Sequence, residues 1–363
     1  MRLLYCIPNL AGGGAERQMV YLVECARRAG HDVCVATNGS GSNFVLLQKA
    51  GVRIALLNVR GNYSPALLVK LNAVIDEFRP QIIHTWLLQM DLVGGFLAIL
   101  RGKPWVLSER SSENAYRASL RYRVRSMVGR YATVHVANSK EGQHYWREIV
   151  GVKATRVIAN GLQLKKISLA VALPIKKSEG PRRPIILGVG RLSREKNWPA
   201  VLRIAAVLRL NREFELVICG DGPDRGNLGQ LVDQLGLGDI TKFTGFLPDP
   251  YAWMKSASAF VSLSHFEGRP NAVLEAMACG CPVILSDIPS HVEIGGGGRS
   301  CLVPIASSFE LVARVLDETL AAGSEVRIRV ARAKKFAENF SVDAMYTQYE
   351  AVYQTILPSV NII

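Results

Sequence analysis

The sequence has no apolar run long enough to cross a bilayer, because its longest, Leu92 to Leu100, is far shorter than the roughly 20 residues that a membrane helix needs. The opening residues, Met1 to Pro8, hold too short an apolar run for a secretory signal peptide. The 7 cysteines are odd in number and include no Cys-x-x-Cys pair, which argues against a disulfide framework. We therefore expect a cytosolic chain with reduced thiols.

Several catalytic motifs are also missing. The sequence has no H-E-x-x-H, no G-x-x-x-x-G-K-[ST] and no G-x-S-x-G, so it does not match zinc proteases, P-loop enzymes or α/β-hydrolases. Its first half has no D-x-D element that would hold a donor-bound metal, and we expect no metal cofactor. No nucleic-acid-binding motif is present, so we do not expect nucleic acid as a partner.

Acidic residues are scarce in the first half. Residues 1–165 hold 22 Lys and Arg against 10 Asp and Glu, whereas the remainder is nearly balanced. Five arginines crowd the stretch from Tyr116 to Tyr131 and alternate with apolar residues: Arg117, Arg121, Arg123, Arg125 and Arg130. As a helix, predicted over Ala115–Arg130, this stretch is amphipathic and cationic. Such a helix could lie on an anionic membrane, face an anionic substrate or form a solvated surface. Its charges are all positive and aromatic residues flank it, which favours a membrane or lipid-linked substrate.

Short apolar strands alternate with amphipathic helices along the whole chain, which predicts an α/β protein with parallel sheets covered on both faces. The 363 residues exceed the usual size of one core, so we expect two domains. The predicted boundaries are 1–165 for the first domain, 166–184 for a basic, proline-containing linker, 185–338 for the second domain and 339–363 for a C-terminal helix.

One segment, Phe266 to Ile284, contains two carboxylates in apolar surroundings. Glu275 is the only charge in a predicted helix that Asn271 caps and Gly280 ends. A lone carboxylate there costs free energy unless something binds it. Glu267 precedes it on the loop that leads into the helix, so acceptors and backbone donors meet at one helix start, which suits a polyhydroxylated ligand. A structural glutamate paired with an arginine explains the helix equally well, and the residues alone leave both hypotheses open.

The Glu-x7-Glu spacing, the E-G-x-P-N opening and the E-A-M-A-x-G-x-P-V continuation resemble the signature of retaining glycosyltransferases of family 4. The resemblance implies the GT-B architecture, in which two Rossmann-like parallel-sheet domains face each other across a cleft. It also implies that Glu275 holds the ribose hydroxyls of a nucleotide-sugar donor. Glu267 would contact the transferred sugar, and Asn271 would supply amides.

Two glycine-rich turns extend the pattern. Gly12-Gly13-Gly14-Ala15-Glu16 follows the first strand and opens a helix, where glycine lets a phosphate approach the positive helix end; G-G-A-E here is typical of the family. The second turn, Gly188 to Asn197, contains two cations: Arg191, which can bind two phosphate oxygens, and Lys196, which acts as a point charge. The G-R-x-x-x-x-K pattern is similar to the family's diphosphate clamp, so Gly13, Gly14, Arg191 and Lys196 are predicted donor-binding residues.

A third glycine turn favours a rival function. Gly220-Asp221-Gly222-Pro223 is a near miss for the dinucleotide fingerprint, because its third glycine, Gly226, falls one residue late. This keeps an NAD-dependent oxidoreductase as an alternative. The same G-x-G-P turn is also typical of the family, where Gly222 would line the nucleotide. Phe243 to Phe246, after the next strand, are candidates for the base pocket.

In the first domain, His84 and Glu109 end predicted strands, at the edge where parallel sheets bind ligands, and both are candidate catalytic residues. Related enzymes commonly show His or Asp near Glu109-Arg110, and N-G-V-D where this chain has Asn160-Gly161-Leu162-Gln163. These are departures from the family pattern.

The resemblance implies a retaining hexosyltransferase that uses a UDP- or GDP-sugar. With the basic first half, we expect it to transfer the sugar to a lipid-linked or cell-envelope glycan at the inner face of the cytoplasmic membrane. Other hypotheses are a nucleotide-sugar epimerase or phosphorylase on the same scaffold, and a non-catalytic subunit that holds a partner enzyme at the membrane.

Overall fold

A computed structural model describes residues 1–61, 64–110, 120–174 and 183–357 of the protein. The chain forms two compact units, one of residues Met1–Gly161 together with the segment from Phe340 onward, the other of Leu162–Asn339. The unit boundary lies at Gly161, slightly before the expected one. The start of the expected linker, 166–184, is helical, and residues 175–182 of it lie outside the described residues.

The first unit contains a parallel sheet of seven strands in the order β3-β2-β1-β4-β5-β6-β7. Its strands are β1 (Arg2–Ile7), β2 (Asp32–Thr37), β3 (Arg53–Leu56), β4 (Ile82–Trp86), β5 (Trp105–Glu109), β6 (Val134–Ala137) and β7 (Thr155–Val157). The helices between them are α1 (Gly14–Arg28), α2 (Ser42–Lys49), α3 (Pro65–Phe78), α4 (Leu87–Leu100), α5 (Leu120–Gly129) and α6 (Lys140–His144), the last continued by a π-helical turn, Tyr145–Ile149.

Both faces of this sheet are buried, as its continuous apolar strands require. Side chains alternate along β1, so that Leu3 and Tyr5 belong to the cluster that includes α1 residues, whereas Leu4 and Cys6 belong to the cluster beneath α3 and α4. Of the predicted helix Ala115–Arg130, residues 120–129 are helical, and 115–119 lie outside the described residues.

The second unit contains a parallel sheet of six strands in the order β10-β9-β8-β11-β12-β13. The strands are β8 (Ile185–Val189), β9 (Glu215–Cys219), β10 (Thr241–Gly245), β11 (Ala259–Ser262), β12 (Val283–Ser286) and β13 (Cys301–Val303). Its helices are α7 (Leu164–Leu169), α8 (Trp198–Leu208), α9 (Arg225–Gln234), α10 (Tyr251–Ser256), α11 (Asn271–Ala278), α12 (Pro289–Gly295), α13 (Phe309–Leu320) and α14 (Ser324–Ala337). The prediction of two Rossmann-like parallel sheets is confirmed.

The last helix, α15 (Val342–Ile356), belongs to the first unit, where it packs against α1. Ser341 caps its start by accepting a hydrogen bond from the Ala344 amide. Its inner side carries tyrosines, and the hydroxyl oxygens of Tyr353 and Tyr5 lie 3.1 Å apart in the core. The C-terminal segment thus completes one face of the first sheet.

Candidate functional site

An ion pair joins two loops at the carboxyl edge of the second sheet. Lys196 lies on the loop after β8, Glu267 lies on the loop after β11, and Lys196 Nζ is 2.5 Å from Glu267 Oε1. These strands are neighbours at the point where the strand order reverses, and open parallel sheets bind ligands in the crevice formed there. The side chains are 22% and 12% exposed, so the pair is only partly screened by solvent.

Glu267 is held ionised. Burial alone would raise the pKa of this carboxyl, but the Lys196 ammonium and a 2.8 Å hydrogen bond from Ser264 Oγ outweigh it and lower the pKa below its usual value. A hydroxyl-rich ligand at the exposed part of this carboxylate would meet an acceptor at any pH near neutral.

A buried histidine is linked by hydrogen bonds to the loop after β11 that carries Glu267. His291, on α12, is fully buried, and burial lowers its pKa to about 4, so the ring is neutral near pH 7. Its Nδ1 lies 3.1 Å from Ser286 Oγ, which donates to the Ser264 carbonyl at 2.7 Å. Sequence analysis missed Ser264 and His291. The only signal for Ser264 was its position just after a strand.

The glycines of two neighbouring turns are required by close backbone packing. A side chain at Gly220 would collide with the Gly190 carbonyl, and one at Gly222 with the Leu192 backbone. The Leu192 amide donates to the Asp221 carbonyl at 3.0 Å, which locks the turn after β8 to the turn after β9. Gly222 therefore lies beside the loop that carries Arg191 and Lys196.

The two predicted clamp cations differ in their surroundings. Arg191 is exposed, and its carbonyl accepts a 2.8 Å hydrogen bond from Trp198 Nε1, which fixes the backbone beneath it. The Lys196 side chain is only 22% exposed and lies against Glu267. Both remain at one edge of the sheet, as the spacing predicts.

Helix α11 carries the second carboxylate of the signature. The predicted Asn271 cap is wrong, because α11 begins at Asn271 itself and Pro270 occupies the cap position. Asn271 and Glu275 are four residues apart and so share one face of the helix. Glu275 is only 4% exposed. A second buried charge, Arg269, lies on the loop that leads into α11. It pairs with Glu293 of α12 at 3.2 Å, which holds this loop in place.

The turn after β9 does not pack like a dinucleotide fingerprint. The third glycine of that fingerprint permits close packing of helix on strand, yet a side chain at Gly226 would meet no atom within 4 Å. Nearby, the Arg225 guanidinium covers the Phe243 ring at 3.9 Å, and Phe246 is half exposed. Of the proposed base-pocket aromatics, Phe246 is therefore the more accessible.

In the first unit, the predicted glycine turn does open a helix. Gly13 is the N-cap of α1, and Gly13 and Gly14 are exposed. A side chain at Gly13 would collide with the Glu16 carboxylate, so an acidic group already lies against this helix end.

A cavity of about 390 Å³ opens at the switch point of the first sheet. It is lined by the loops that follow β1 and β2 and by the first turn of α4: Pro8, Asn9, Asn38, Gly39, Leu87, Leu88 and Gln89. Leu87 has a left-handed backbone with φ of 68°, a strain that clusters at ligand sites. The polar residues in this lining are amides, without a charged side chain. The wall suits neutral hydroxyl groups.

The two first-unit catalytic candidates, His84 and Glu109, are interior residues, 1% and 0% exposed. Burial, and then the Arg110 charge, lower the pKa of His84 well below its usual value. Its ring nitrogens lie 2.9 Å from Tyr353 Oη and 2.7 Å from Ser108 Oγ. We infer a structural role for it, because these contacts occupy both nitrogens.

Glu109 is likewise enclosed. Its Oε2 accepts from Arg125 Nη1 at 2.6 Å and from Trp146 Nε1 at 2.8 Å, while Oε1 accepts from the Arg110 amide at 2.8 Å. Both carboxylate oxygens thus accept hydrogen bonds inside the unit and the residue is 0% exposed, which argues for a structural role and against contact with substrate.

Two parallel-sheet units, with cations and a carboxylate gathered at the switch point of the second, place the chain in the class of α/β proteins built on Rossmann-like sheets. Two family models divide the chain between them: glycosyltransferase family 4 matches residues 12–166, and glycosyl transferases group 1 matches residues 173–335. The chain belongs to this family of glycosyltransferases.

Similar proteins are also glycosyltransferases by name. The putative glycosyltransferase EpsF of Bacillus subtilis is 31% identical over 90% of this chain and 89% of its own length. The lipopolysaccharide core biosynthesis glycosyltransferase LpsD of Rhizobium meliloti is 26% identical over 92% of this chain and 93% of its own length. Other matches are partial: the chain spans 36% of the length of a Campylobacter jejuni N-acetylgalactosaminyltransferase that acts on a diphospho-undecaprenol substrate, as its name states.

Solved structures show the GT-B fold. Anabaena HepE, crystallised with UDP and glucose, superposes with a TM-score of 0.85 and covers 98% of this chain and 100% of its own, at 20% identity. At this identity the likeness establishes the fold alone. The fold and the family agree with the resemblance found in the sequence.

Proposed function

We propose that this glycosyltransferase uses a UDP- or GDP-sugar donor, bound at the switch point of the second unit. The observation that carries the proposal is the Lys196–Glu267 pair, which sets a cation and an ionised acceptor 2.5 Å apart. A nucleotide-sugar needs this combination, because its diphosphate is anionic and its sugar presents hydroxyl donors. The presence of UDP and glucose in the HepE crystal supports the same donor class.

Within this proposal, Arg191 and Lys196 bind the diphosphate and stabilise the charge that develops on it as the glycosidic bond breaks. Gly222 lets the backbone approach the nucleotide, and Glu275 holds the ribose hydroxyls. Glu267 and the amides at Asn271 orient the transferred sugar. Retention would follow from attack on the same face of the sugar, with the departing phosphate accepting the proton of the acceptor hydroxyl.

For the acceptor, we propose a lipid-linked or cell-envelope glycan that enters the first unit's cavity. The amide-lined wall fits uncharged sugar hydroxyls. Names of relatives in lipopolysaccharide synthesis favour this class. Because such acceptors reside in membranes, we place the enzyme at the inner face of the cytoplasmic membrane. In the described part of the chain, no helix combines the length and apolar character of a membrane span.

The donor class is tested by thermal shift. A UDP- or GDP-sugar at about 100 times its Kd should stabilise the folded chain by about 2.7 kcal/mol, and the matching nucleotide monophosphate by less. An equal shift with NAD, or no shift with any nucleotide-sugar, would contradict the proposal. Interconversion of the free nucleotide-sugar without acceptor would favour an epimerase instead.

Metal dependence gives a second test. Because we assign charge neutralisation to Arg191 and Lys196, excess EDTA should leave transferase turnover within about twofold of the untreated enzyme. Turnover is measured as nucleoside diphosphate released, with magnesium re-added as the control. Complete loss that a divalent ion restores would overturn the expected metal independence.

A further inference from the structure

Helix α5 of the first unit turns its apolar stripe outward. Leu120, Val124 and Met127 follow a helical spacing and are 73%, 41% and 65% exposed. Tyr131, just past the helix end, continues the stripe and is also exposed. A surface helix ordinarily presents such a stripe to the core, so this orientation needs a reason.

The reason lies on the opposite side of the helix. Arg125 is 4% exposed and pairs with Asp91 at 2.8 Å and with Glu109 at 2.6 Å. One turn later, Gly129 faces Trp146 so closely that any side chain there would collide with the indole. These contacts fix the rotation of α5, so the helix cannot roll its apolar stripe inward without unpairing a buried ion cluster.

The neighbouring helix extends the exposed surface. Helix α4 packs against α5, and its Phe96, Ile99 and Leu100 are 50%, 43% and 65% exposed. Their spacing places them on one helix face. We call the seven residues the α4–α5 apolar face: Phe96, Ile99, Leu100, Leu120, Val124, Met127 and Tyr131. Soluble proteins rarely expose so many large apolar side chains on two packed helices without a partner.

Exposed arginines flank the α5 part of this face, and at its α4 end Arg101, next to Leu100, pairs with Asp76 of α3 at 2.9 Å. Arg121, Arg123 and Arg130 are exposed beside the α5 stripe. Between Leu87 and Arg110 and between Leu120 and Tyr131, the only carboxylates are Asp91 and Glu109, and both are buried with Arg125. The surface therefore offers cations and apolar side chains but no exposed carboxylate from these stretches.

We propose that the α4–α5 apolar face inserts into the interfacial layer of an anionic lipid bilayer, with the exposed arginines binding its head groups. Apolar burial supplies attraction that salt does not screen, and the arginines add attraction that it does. The surface is independent of the donor site, since all its residues lie in the first unit. It makes the proposed lipid-linked acceptor accessible where such acceptors reside.

Cosedimentation with vesicles tests the apolar part. The full chain should sediment with vesicles rich in phosphatidylglycerol, and Val124→Ser/Met127→Ser should lower the partition coefficient by about tenfold or more. The matched control is Leu210→Ser/Ile328→Ser, which removes two exposed apolar side chains of the second unit and should bind like the parent. Equal binding by the parent and the Val124→Ser/Met127→Ser variant would overturn the proposal.

The arginines are tested separately with the variant Arg123→Gln/Arg130→Gln. Its control is Lys334→Gln/Lys335→Gln on α14, which changes the net charge by the same amount in the second unit. Only the first pair should weaken binding to anionic vesicles and flatten its salt dependence. Donor hydrolysis in solution should be unchanged in every variant, so a failed donor assignment and a failed membrane assignment give different results. Binding to neutral and anionic vesicles alike, or concentration-dependent self-association that Val124→Ser/Met127→Ser abolishes, would instead assign the face another role and contradict the proposal.

Discussion

Lys196→Ala should lower kcat/KM by about 100- to 1,000-fold, or roughly 3 to 4 kcal/mol of transition-state stabilisation, the usual cost of removing one group aimed at developing charge. In the proposed mechanism, Lys196 faces the diphosphate as it leaves, so the interaction is stronger in the transition state than in the ground state. The loss should therefore appear in kcat at saturating donor, with a smaller change in KM.

The structure refines the control for this experiment. Because Lys196 is largely buried and paired with Glu267, the alanine variant also leaves a carboxylate without its cation, and a melting scan must accompany the kinetics. Arg194→Ala, an exposed cation on the same loop, should keep wild-type turnover. If Lys196→Ala turned over like the parent, or if Arg194→Ala lost as much, the assignment of Lys196 to the clamp would be wrong.

The placement of the predicted donor residues at one edge of the second sheet could be predicted, because these residues follow strands and parallel sheets gather strand ends at one edge. Arg191, Lys196 and Gly222 all lie on such loops, and Glu267 follows β11 closely. The pairing of Lys196 with Glu267 could not be predicted, since the two are 71 residues apart and only the strand order brings them together.

Predictions that depended on which way a side chain points were less reliable. The position of Glu109 at a strand end was right, but the chain pairs it inward with Arg125, a contact that no local pattern encodes. The arginine-rich helix showed the same difficulty. Counting its charges suggested one cationic face, whereas Arg125 is buried and the exposed stripe is apolar. Whether Glu109 and Arg125 can contact a ligand depends on their burial. That burial is determined by packing between residues far apart in the sequence, which a local pattern does not contain.

Arg125→Met should destabilise the first unit by about 3 to 5 kcal/mol, because it removes the cation between two buried carboxylates while nearly keeping the side-chain volume. Asp91, Glu109 and Arg125 have side chains no more than 4% exposed, so water cannot replace the lost pairing. Chemical denaturation followed by tryptophan fluorescence measures the change. Arg123→Met, an exposed arginine of the same helix, should stay within about 0.5 kcal/mol of the parent.

The pH dependence of that loss distinguishes an unpaired charge from a packing defect. Burial already raises the pKa of Asp91 from 3.8 to about 6, so the folded state binds its proton more tightly than the unfolded state, and stability falls as pH rises through this window. Without Arg125, whose charge lowers the pKa of Asp91, that pKa should rise further and extend the fall in stability to higher pH. The deficit of Arg125→Met against the parent should consequently be smaller at pH 5 than at pH 8, because protonation neutralises the unpaired carboxylates. A deficit that is the same at both pH values would mean that Arg125 stabilises the unit by packing against Trp146, whose ring lies 5.2 Å from the guanidinium carbon, and that charge pairing contributes little.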